Sequence, residues 1–331
     1  MKISDVLNIT GGELVTEPSI QAVEGATVYP SKVENGDLFF AGRREDIPKA
    51  VENGAYAVIF EGDTPTGMDD EIAWIEVPSV REAAFRLLRY VQLRKESEIY
   101  LLENHEYTFL KMIVSGRSPL VFLPDEWMKA FEALLNGEGS IFVTTDEVLA
   151  RSVSANPERI EEPADGYMVS DTLFRSTFRI GSYIYQNREM APFHLGYLLK
   201  AVGFCDRREI PYSIERLRYT RHFMPVFVDA KLSRVSGSES DRVVIFCDNR
   251  EDIVAAREYV RYQSSWARSI VLTPPSTKVD GVERPIWFEG AQEAREILKK
   301  SHFNYAFIYS TDSTGREILE EIDRQEASLF G

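Results

Sequence analysis

The chain of 331 residues is 44% hydrophobic, 11% aromatic and 27% charged, which is typical of a folded globular protein. Its formal net charge of −15 argues against a nucleic-acid backbone or an anionic membrane surface as the main partner. No apolar run approaches the roughly 18 residues of a membrane span, and the N-terminus lacks the features of a signal peptide. Only two cysteines occur, Cys205 and Cys247, so we expect no disulfide framework. These features predict a cytoplasmic protein without membrane insertion.

Residues 1–95 form the first predicted unit, which has an α/β pattern. Strands are predicted at residues 37–41, 56–60 and 72–77, and helices at residues 5–10, 46–53 and 80–93. Ser4 is the predicted N-cap of the first helix, and Ser79 opens the third. Asn35 and Gly36 predict a turn, because glycine adopts a positive φ without steric cost. The charged segment after residue 93 predicts a domain boundary near residue 95.

Residues 96–224 form the second predicted unit. Three apolar strands are predicted at residues 99–102, 119–123 and 141–144, and they alternate with helices at residues 106–114, 125–135 and 146–153. This alternation favours a parallel sheet, and Thr145 or Asp146 is expected to cap the helix that follows the third strand. A hairpin turning at Gly181 comes next, followed by helices at residues 193–204 and 214–217.

Residues 225–331 form the third predicted unit, a small Rossmann-like domain. Strands at residues 243–247, 269–272 and 305–309 alternate with helices at residues 250–262, 291–300 and 314–325. Such domains bind ligands at the carboxyl ends of their strands. The sequence therefore predicts an α/β protein made of three consecutive α/β units.

Four short motifs follow one another at the start of the chain. They are Thr10-Gly11-Gly12, Pro30-Ser31-Lys32, Gly36-Asp37-Leu38-Phe39 and Asn53-Gly54-Ala55. In this order and spacing they resemble the N-terminal domain of the Mur ligases, most closely the MurF type. Those enzymes add D-alanyl-D-alanine to the UDP-MurNAc-tripeptide of peptidoglycan. The resemblance implies a bacterial cell-wall protein with a UDP-sugar-binding domain, a central ATP-binding domain and a Rossmann-like third domain.

In the family, the second motif and a Gly-Glu-x-x-Asp-Gly-His loop that follows the third bind the uridine nucleotide. Here that loop is reduced to Gly42-Arg43-Arg44-Glu45-Asp46. The resemblance therefore implies that Ser31, Lys32 and Phe39 bind a UDP-sugar. Pro30 and Lys32 stand where the family has Asp and Arg, so the planar bidentate contact of an arginine is lost. The alternative interpretation is that Ser31 and Lys32 are ordinary turn residues.

The central domain of a Mur ligase should begin with a phosphate-binding loop of the type Gly-x-x-Gly-Lys-Thr/Ser, whose backbone and lysine hold the phosphates. The corresponding residues here are Glu103, Asn104, His105, Glu106, Tyr107 and Thr108. Only Thr108 keeps a matching type, two carboxylates would repel a triphosphate, and the dipeptide Gly-Lys occurs nowhere in the chain. The sequence thus predicts a shortened central domain that does not perform ATP-driven ligation.

The remaining family landmarks are also altered. The family's Gly-x-His-Asn-x-x-Asn segment corresponds to residues 192–198, where only His194 matches, and on an apolar helix this histidine is expected to be a core residue. The end of the third domain's first strand keeps its polar character at Asp248, whereas the final Lys-Gly-Ser segment appears as Ser310 to Ser313 without a basic residue. The four histidines lack metal-ligand spacing, so no metal or cofactor is expected.

A basic cluster remains in this acidic chain. Its members Arg216, Arg218 and Arg221 are the best candidates for an anion site, with a solvated helix face as the alternative. Taken together, the residues and the resemblance predict a non-catalytic protein that binds a UDP-MurNAc-peptide or a cell-wall enzyme. Two alternatives stay open: a divergent active ligase, and a protein-interaction module without a nucleotide ligand.

Overall fold

The computed structural model describes residues 1–63, 65, 69–137, 139–237 and 240–310, together with Gly315, Glu317, Ile318, Glu320 and Ile322. The chain divides into two compact units. Unit 1 contains residues 1–107, 114–162 and 204–212, and unit 2 contains residues 108–113, 163–203 and 213–331. Both units combine helices with parallel sheets, so the predicted α/β fold class is confirmed.

Unit 1 begins with a five-stranded sheet and its helices. Its elements are α1 (Ile3–Thr10), β1 (Glu13–Leu14), β2 (Ala26–Thr27), β3 (Leu38–Phe40), α2 (Ile47–Glu52), β4 (Ala57–Phe60), β5 (Ala73–Glu76) and α3 (Val80–Lys95). The strand order is β1-β5-β4-β3-β2, with β2 to β5 parallel and β1 antiparallel to β5. Gly36 adopts a φ of 101° before β3, which confirms the predicted turn.

The remaining elements of unit 1 surround a three-stranded parallel sheet of order β6-β8-β7. They are β6 (Glu98–Leu101), α4 (Asn104–Ile113), β7 (Leu120–Phe122), α5 (Trp127–Asn136), β8 (Ile141–Thr144) and α6 (Glu147–Val153), with the end of α4 belonging to unit 2. One cluster of buried side chains includes Leu38 and Ile59 of the first sheet and Ile99 and Phe142 of the second. The two sheets of unit 1 therefore share one hydrophobic core.

Unit 2 contains an antiparallel and a mostly parallel sheet. Its elements are β9 (Gly166–Asp171), β10 (Arg175–Ile180), β11 (Tyr183–Glu189), α7 (Leu195–Arg207, ending in unit 1), β12 (Met224–Phe227), β13 (Val243–Cys247), α8 (Arg250–Gln263), β14 (Ser269–Thr273), β15 (Ile286–Trp287), α9 (Ala291–Lys300) and β16 (Tyr305–Tyr309). The first three strands form an antiparallel sheet of order β11-β10-β9, which includes the predicted hairpin.

The second sheet of unit 2 has the order β12-β13-β16-β14-β15, and only β12 runs antiparallel to its neighbour. Its central strands alternate their side chains between two apolar clusters, as a strand buried on both faces requires. Val244 and Phe246 share a cluster with Leu298 of α9, whereas Ile245 and Cys247 share one with Ile253 of α8. Helices thus cover both faces, as predicted for the third unit.

Several element boundaries differ from the sequence prediction. Helix α1 begins at Ile3, so Ser4 lies in its first turn and the predicted cap at Ser4 is wrong. Helix α4 begins at Asn104, two residues before the predicted start. The predicted helix at residues 314–325 and the segment Thr311 to Ser313 fall largely outside the described residues. Among the helices that the structure describes, none is long and apolar enough to cross a membrane.

Candidate functional site

Ser31 and Lys32, the predicted nucleotide ligands, lie on a short 3-10 turn, Pro30–Lys32, between β2 and β3. Both are exposed, and the turn is held by a hydrogen bond of 2.8 Å from Nδ2 of Asn53 to the carbonyl oxygen of Pro30. The ammonium group of Lys32 lies 5.1 Å from the centre of the Tyr29 ring. A hydroxyl and a cation are therefore presented side by side on an anchored turn.

The cation of Lys32 is compensated by Glu132 of α5. Their charged groups lie 3.0 Å apart, and the side chain of Glu132 is 10% exposed whereas that of Lys32 is 57% exposed. Glu132 also accepts hydrogen bonds from the Thr27 hydroxyl (2.7 Å), the Val28 amide (3.4 Å) and the Asn136 side chain (3.3 Å). These donors satisfy a carboxylate that burial alone would destabilise. The turn therefore carries a neutralised ion pair rather than an isolated cation.

Phe39 has a different environment from Ser31 and Lys32. It is fully buried, and it belongs to the cluster between the first sheet and α2 together with Val58, Phe60 and Trp74. Its side chain stabilises the core and offers no exposed atom to a ligand. The predicted nucleotide contact therefore depends on Ser31 and Lys32 alone.

The residues at the predicted phosphate-loop position lie at the start of helix α4. Strand β6 ends at Leu101 and α4 begins at Asn104, so only two residues connect them. The Glu106 side chain turns back and accepts a hydrogen bond of 3.0 Å from the Glu103 amide. This is the contact that an acidic residue at the third helical position makes in a capping box. A carboxylate of the protein itself thus occupies the positive end of the helix, where a phosphate would otherwise bind.

Two more residues of this segment face the interior of the protein. His105 is buried. The Tyr107 ring meets the Phe122 ring of β7 edge to face, with 5.2 Å between their centres. The first turn of α4 is consequently shaped by packing.

Thr108, the one residue of matching type, belongs to a hydrogen-bonded chain in unit 2. Its hydroxyl lies 2.8 Å from Nε2 of His222, and Nδ1 of His222 lies 2.6 Å from a carboxylate oxygen of Asp248. With a neutral ring, the carboxylate fixes the proton on Nδ1 and leaves Nε2 to accept from the hydroxyl. His222 is buried, and Asp248 follows β13 directly. The chain thus orients an imidazole at the carboxyl end of the strand.

Two members of the predicted anion cluster, Arg218 and Arg221, contact acceptors of the protein itself. The Arg221 guanidinium lies 3.2 Å from the second carboxylate oxygen of Asp248. Arg218 donates to two backbone carbonyl oxygens, 2.6 and 3.1 Å away, and Arg216 is exposed at the end of a 3-10 turn. These contacts direct the charges of Arg218 and Arg221 toward the protein itself, and the anion site stays a prediction.

Comparison with known structures identifies the architecture. No protein-family model matches the sequence, and a comparison with curated proteins finds no match. Among solved structures, a MurF from Acinetobacter baumannii is similar over 97% of this chain and 98% of its own, with a TM-score of 0.56 and 12% identity. The chain has the fold of MurF.

Two further solved structures agree with this result. One is the UDP-N-acetylmuramoylalanyl-D-glutamyl-2,6-diaminopimelate–D-alanyl-D-alanyl ligase from the same organism, with a TM-score of 0.53, 13% identity and coverage of 97% of this chain and 98% of that one. The other is a MurF ligase from Thermotoga maritima in complex with ADP, with a TM-score of 0.50, 13% identity and coverage of 91% and 97%. The MurF fold therefore extends along nearly the whole chain.

Within this MurF fold, His194 lies in a 3-10 turn just before α7 and is buried, as predicted for a core residue. Its Nε2 atom lies 3.0 Å from a carboxylate oxygen of Asp252 in α8, which is also buried. The rings of Phe109, Phe193 and Phe223 meet it edge to face. The imidazole is thus an internal polar group with a carboxylate partner.

Sequence reasoning on the MurF-like motifs missed Glu132 and the chain from Thr108 to Asp248. The sequence did contain a signal for the burial of Glu132. This carboxylate lies in a predicted helix among the apolar residues Met128, Phe131 and Leu134. No such signal existed for Thr108, His222 and Asp248. They are distant in the sequence, and only the fold brings them together.

Proposed function

We propose that this protein is a MurF-like protein that does not ligate and that binds a UDP-N-acetylmuramoyl-peptide or a related uridine nucleotide. The main support for the proposal is the hydrogen bond of 3.0 Å that the Glu106 carboxylate accepts from the Glu103 amide. A nucleoside triphosphate needs the amide groups and the positive field that this carboxylate already uses. The two-residue connection before α4 also lacks the length of a loop that wraps around phosphates.

The binding part of the proposal depends on Ser31 and Lys32. Their turn is exposed and anchored, and a hydroxyl with an ammonium group suits a uracil or diphosphate oxygen. Glu132 lies next to the cation and lowers the net positive charge that a diphosphate meets. We therefore expect weaker nucleotide affinity than an uncompensated lysine would give.

Calorimetric titration of the full chain separates the candidate functions. One titration uses Mg·ATP and the other UDP-MurNAc-tripeptide, with UDP as the smallest probe. We expect heat from the uridine ligands and none from Mg·ATP. Tight magnesium-dependent ATP binding would contradict the non-ligating function and favour a divergent ligase.

Three variants test the assigned residues. The double change Ser31→Ala with Lys32→Ala should abolish measurable uridine-nucleotide binding. Glu132→Gln should strengthen it at low ionic strength, because the amide keeps the contact with Thr27 and removes the negative charge beside Lys32. Lys49→Ala is the matched control, since Lys49 is also 57% exposed and paired with a carboxylate at 2.8 Å. Unchanged affinity in the double variant would show that the assignment is wrong.

A second candidate function is a protein-interaction module without a nucleotide ligand. The ion pair of Lys32 with Glu132 favours it, because a turn of no net charge has little attraction for a diphosphate. Absence of heat from both ATP and the uridine ligands would support this candidate.

A further inference from the structure

Unit 2 contains a large cleft at the amino ends of its parallel strands. Its volume is about 730 Å³, and Val243 and Tyr305, the first residues of β13 and β16, line it. Asp248 follows the opposite, carboxyl end of β13. All residues that line the cleft belong to unit 2, whereas Ser31, Lys32 and Glu106, on which the proposed function depends, belong to unit 1. The size of the cleft is that of a small-molecule or peptide side-chain site.

Aromatic rings form much of the cleft wall. They belong to Phe174, Tyr219, Phe227, Trp266 and Tyr305. Phe174 lies in the centre of this group, 5.1 Å from the Phe227 ring and 6.3 Å from the nearly parallel Tyr305 ring. The Tyr219 hydroxyl donates to the Phe174 carbonyl oxygen at 2.9 Å, and burial raises the pKa of Tyr219 to about 12. These aromatic side chains are uncharged near neutral pH, and Trp266 among them is 74% exposed.

The charged groups of the cleft differ in how they are partnered. Arg175 lies 3.6 Å from Glu189 and also donates to the Asn187 carbonyl oxygen. Arg242 donates to the carbonyl oxygens of Leu298, in the last turn of α9, and of Ser301, which follows that helix. Its guanidinium also lies over the Phe303 ring. Both cations of the cleft therefore already have acceptors.

Asp241 is the exception among these charges. Its backbone carbonyl accepts from Asn304 at 3.2 Å, whereas no cation within the described residues lies at ion-pair distance from its exposed carboxylate. An organic cation is attracted both by a carboxylate and by the faces of aromatic rings. The net charge of −15 attracts the same class of ligand and repels anions.

We propose that this cleft binds an organic cation, an alkylammonium or guanidinium group, against Trp266 and Tyr305 with Asp241 as its counter-charge. The same chemistry is offered by a small amine and by a lysine or arginine side chain of a peptide. The site is independent of nucleotide binding at Ser31 and Lys32, and either assignment can fail without the other.

Fluorine NMR of the full chain labelled with 5-fluorotryptophan tests the site directly. The chain has four tryptophans, and Trp266→Phe identifies the resonance of Trp266. The probes are blocked arginine (N-acetyl-arginine amide) and blocked citrulline, which has the same shape without the charge. We expect the arginine probe to shift the Trp266 resonance with an affinity at least about fivefold higher than that of citrulline. Equal affinities, or no shift of this resonance, would overturn the proposal.

Charge variants provide the second test. Asp241→Asn should weaken binding of blocked arginine about fivefold or more, while Asp280→Asn, an exposed carboxylate of the same unit outside the cleft, should leave it unchanged. Both positions are exposed, so circular dichroism is expected to show native folding. A natively folded Asp241→Asn protein with unchanged affinity would overturn the assigned counter-charge.

Two further probes distinguish the source of the cation. Choline represents a free small amine, and a blocked Gly-Arg-Gly tripeptide represents a peptide side chain. Tighter binding of choline indicates a small molecule, and tighter binding of the tripeptide indicates a peptide. Failure of both probes to bind would overturn the site.

Discussion

At the scale of single residues, Glu132 connects the predicted nucleotide turn to the rest of unit 1. It receives hydrogen bonds from side chains or amides of Thr27, Val28, Lys32 and Asn136. A buried carboxylate with several donors is strongly coupled to its surroundings, because each donor left behind becomes an unsatisfied polar group. The residue therefore has a structural role whether or not a ligand binds.

This coupling predicts unequal costs for the two members of the ion pair. Glu132→Ala should lower the free energy of unfolding by about 2–3 kcal/mol, because it leaves the buried Thr27 hydroxyl without its acceptor. Lys32→Ala should cost about 1 kcal/mol or less, since the lysine is largely exposed. Urea unfolding followed by circular dichroism measures both. Equal costs would indicate that the buried donors contribute little.

The two cysteines allow a prediction of reactivity and pH dependence. Burial raises the pKa of Cys205 to about 12 and that of Cys247 well above its ordinary value. Both thiols should therefore react slowly with a disulfide reagent at pH 8 and rapidly once the protein is unfolded, because the thiolate is the nucleophile. Because the thiols hold their protons more tightly in the folded than in the unfolded state, they contribute to the stability of the folded protein below about pH 9. This contribution is lost as the pH rises toward 12. Fast labelling of the native protein would contradict the burial of both thiols.

At the scale of elements, the start of helix α1 was predicted wrongly, whereas the starts of α3 and α6 carry the expected kind of cap. Ser79 caps α3 by accepting a hydrogen bond from the Glu82 amide, and Asp146 caps α6 in the same way through Leu149. The sequence predicted Ser79 at the start of a helix and either Thr145 or Asp146 as the second cap, because these residue types precede amphipathic segments. Helix α3 contributes Ala84, Leu87 and Leu88 to the shared core of unit 1, so its cap has a consequence for the whole unit.

Removal of this cap should have a measurable effect. Ser79→Ala should cost about 1 kcal/mol of unfolding free energy, because the amide of Glu82 loses its acceptor. Ser79→Gly is the matched variant and should lower the free energy of unfolding by only a few tenths of a kcal/mol, since glycine is tolerated at the N-cap. Chemical denaturation of the two variants and the parent protein checks the order. A larger loss with glycine would contradict the capping role.

The elements that were missed have weak patterns. Strand β9 is mostly exposed and alternates little in hydrophobicity, so its sequence lacks the period of a half-buried strand. Strand β1 has only two residues and depends on pairing with β5. Their positions are determined by neighbouring strands, which a local pattern cannot reveal.

At the scale of the whole molecule, the α/β architecture was predictable while the site was only partly so. Apolar strands and amphipathic helices depend on local periodicity, and this periodicity persists in a chain that shares only 12% identity with a MurF of the same fold. The position of Ser31 and Lys32 on a turn was also predictable. The partner Glu132 and the burial of Phe39 were not, because they depend on contacts between segments distant in the sequence.

The short connection between β6 and α4 limits how this protein can change. Exchanging one side chain for another alters the charge and shape of a segment, but it does not alter the number of residues between a strand and a helix. Strand β6 and helix α4 are joined by Leu102 and Glu103, and the Leu102 amide is already bonded to the Thr144 carbonyl oxygen. A phosphate-wrapping loop at this position would require an insertion. Point mutations alone therefore cannot give the connection between β6 and α4 the length of such a loop.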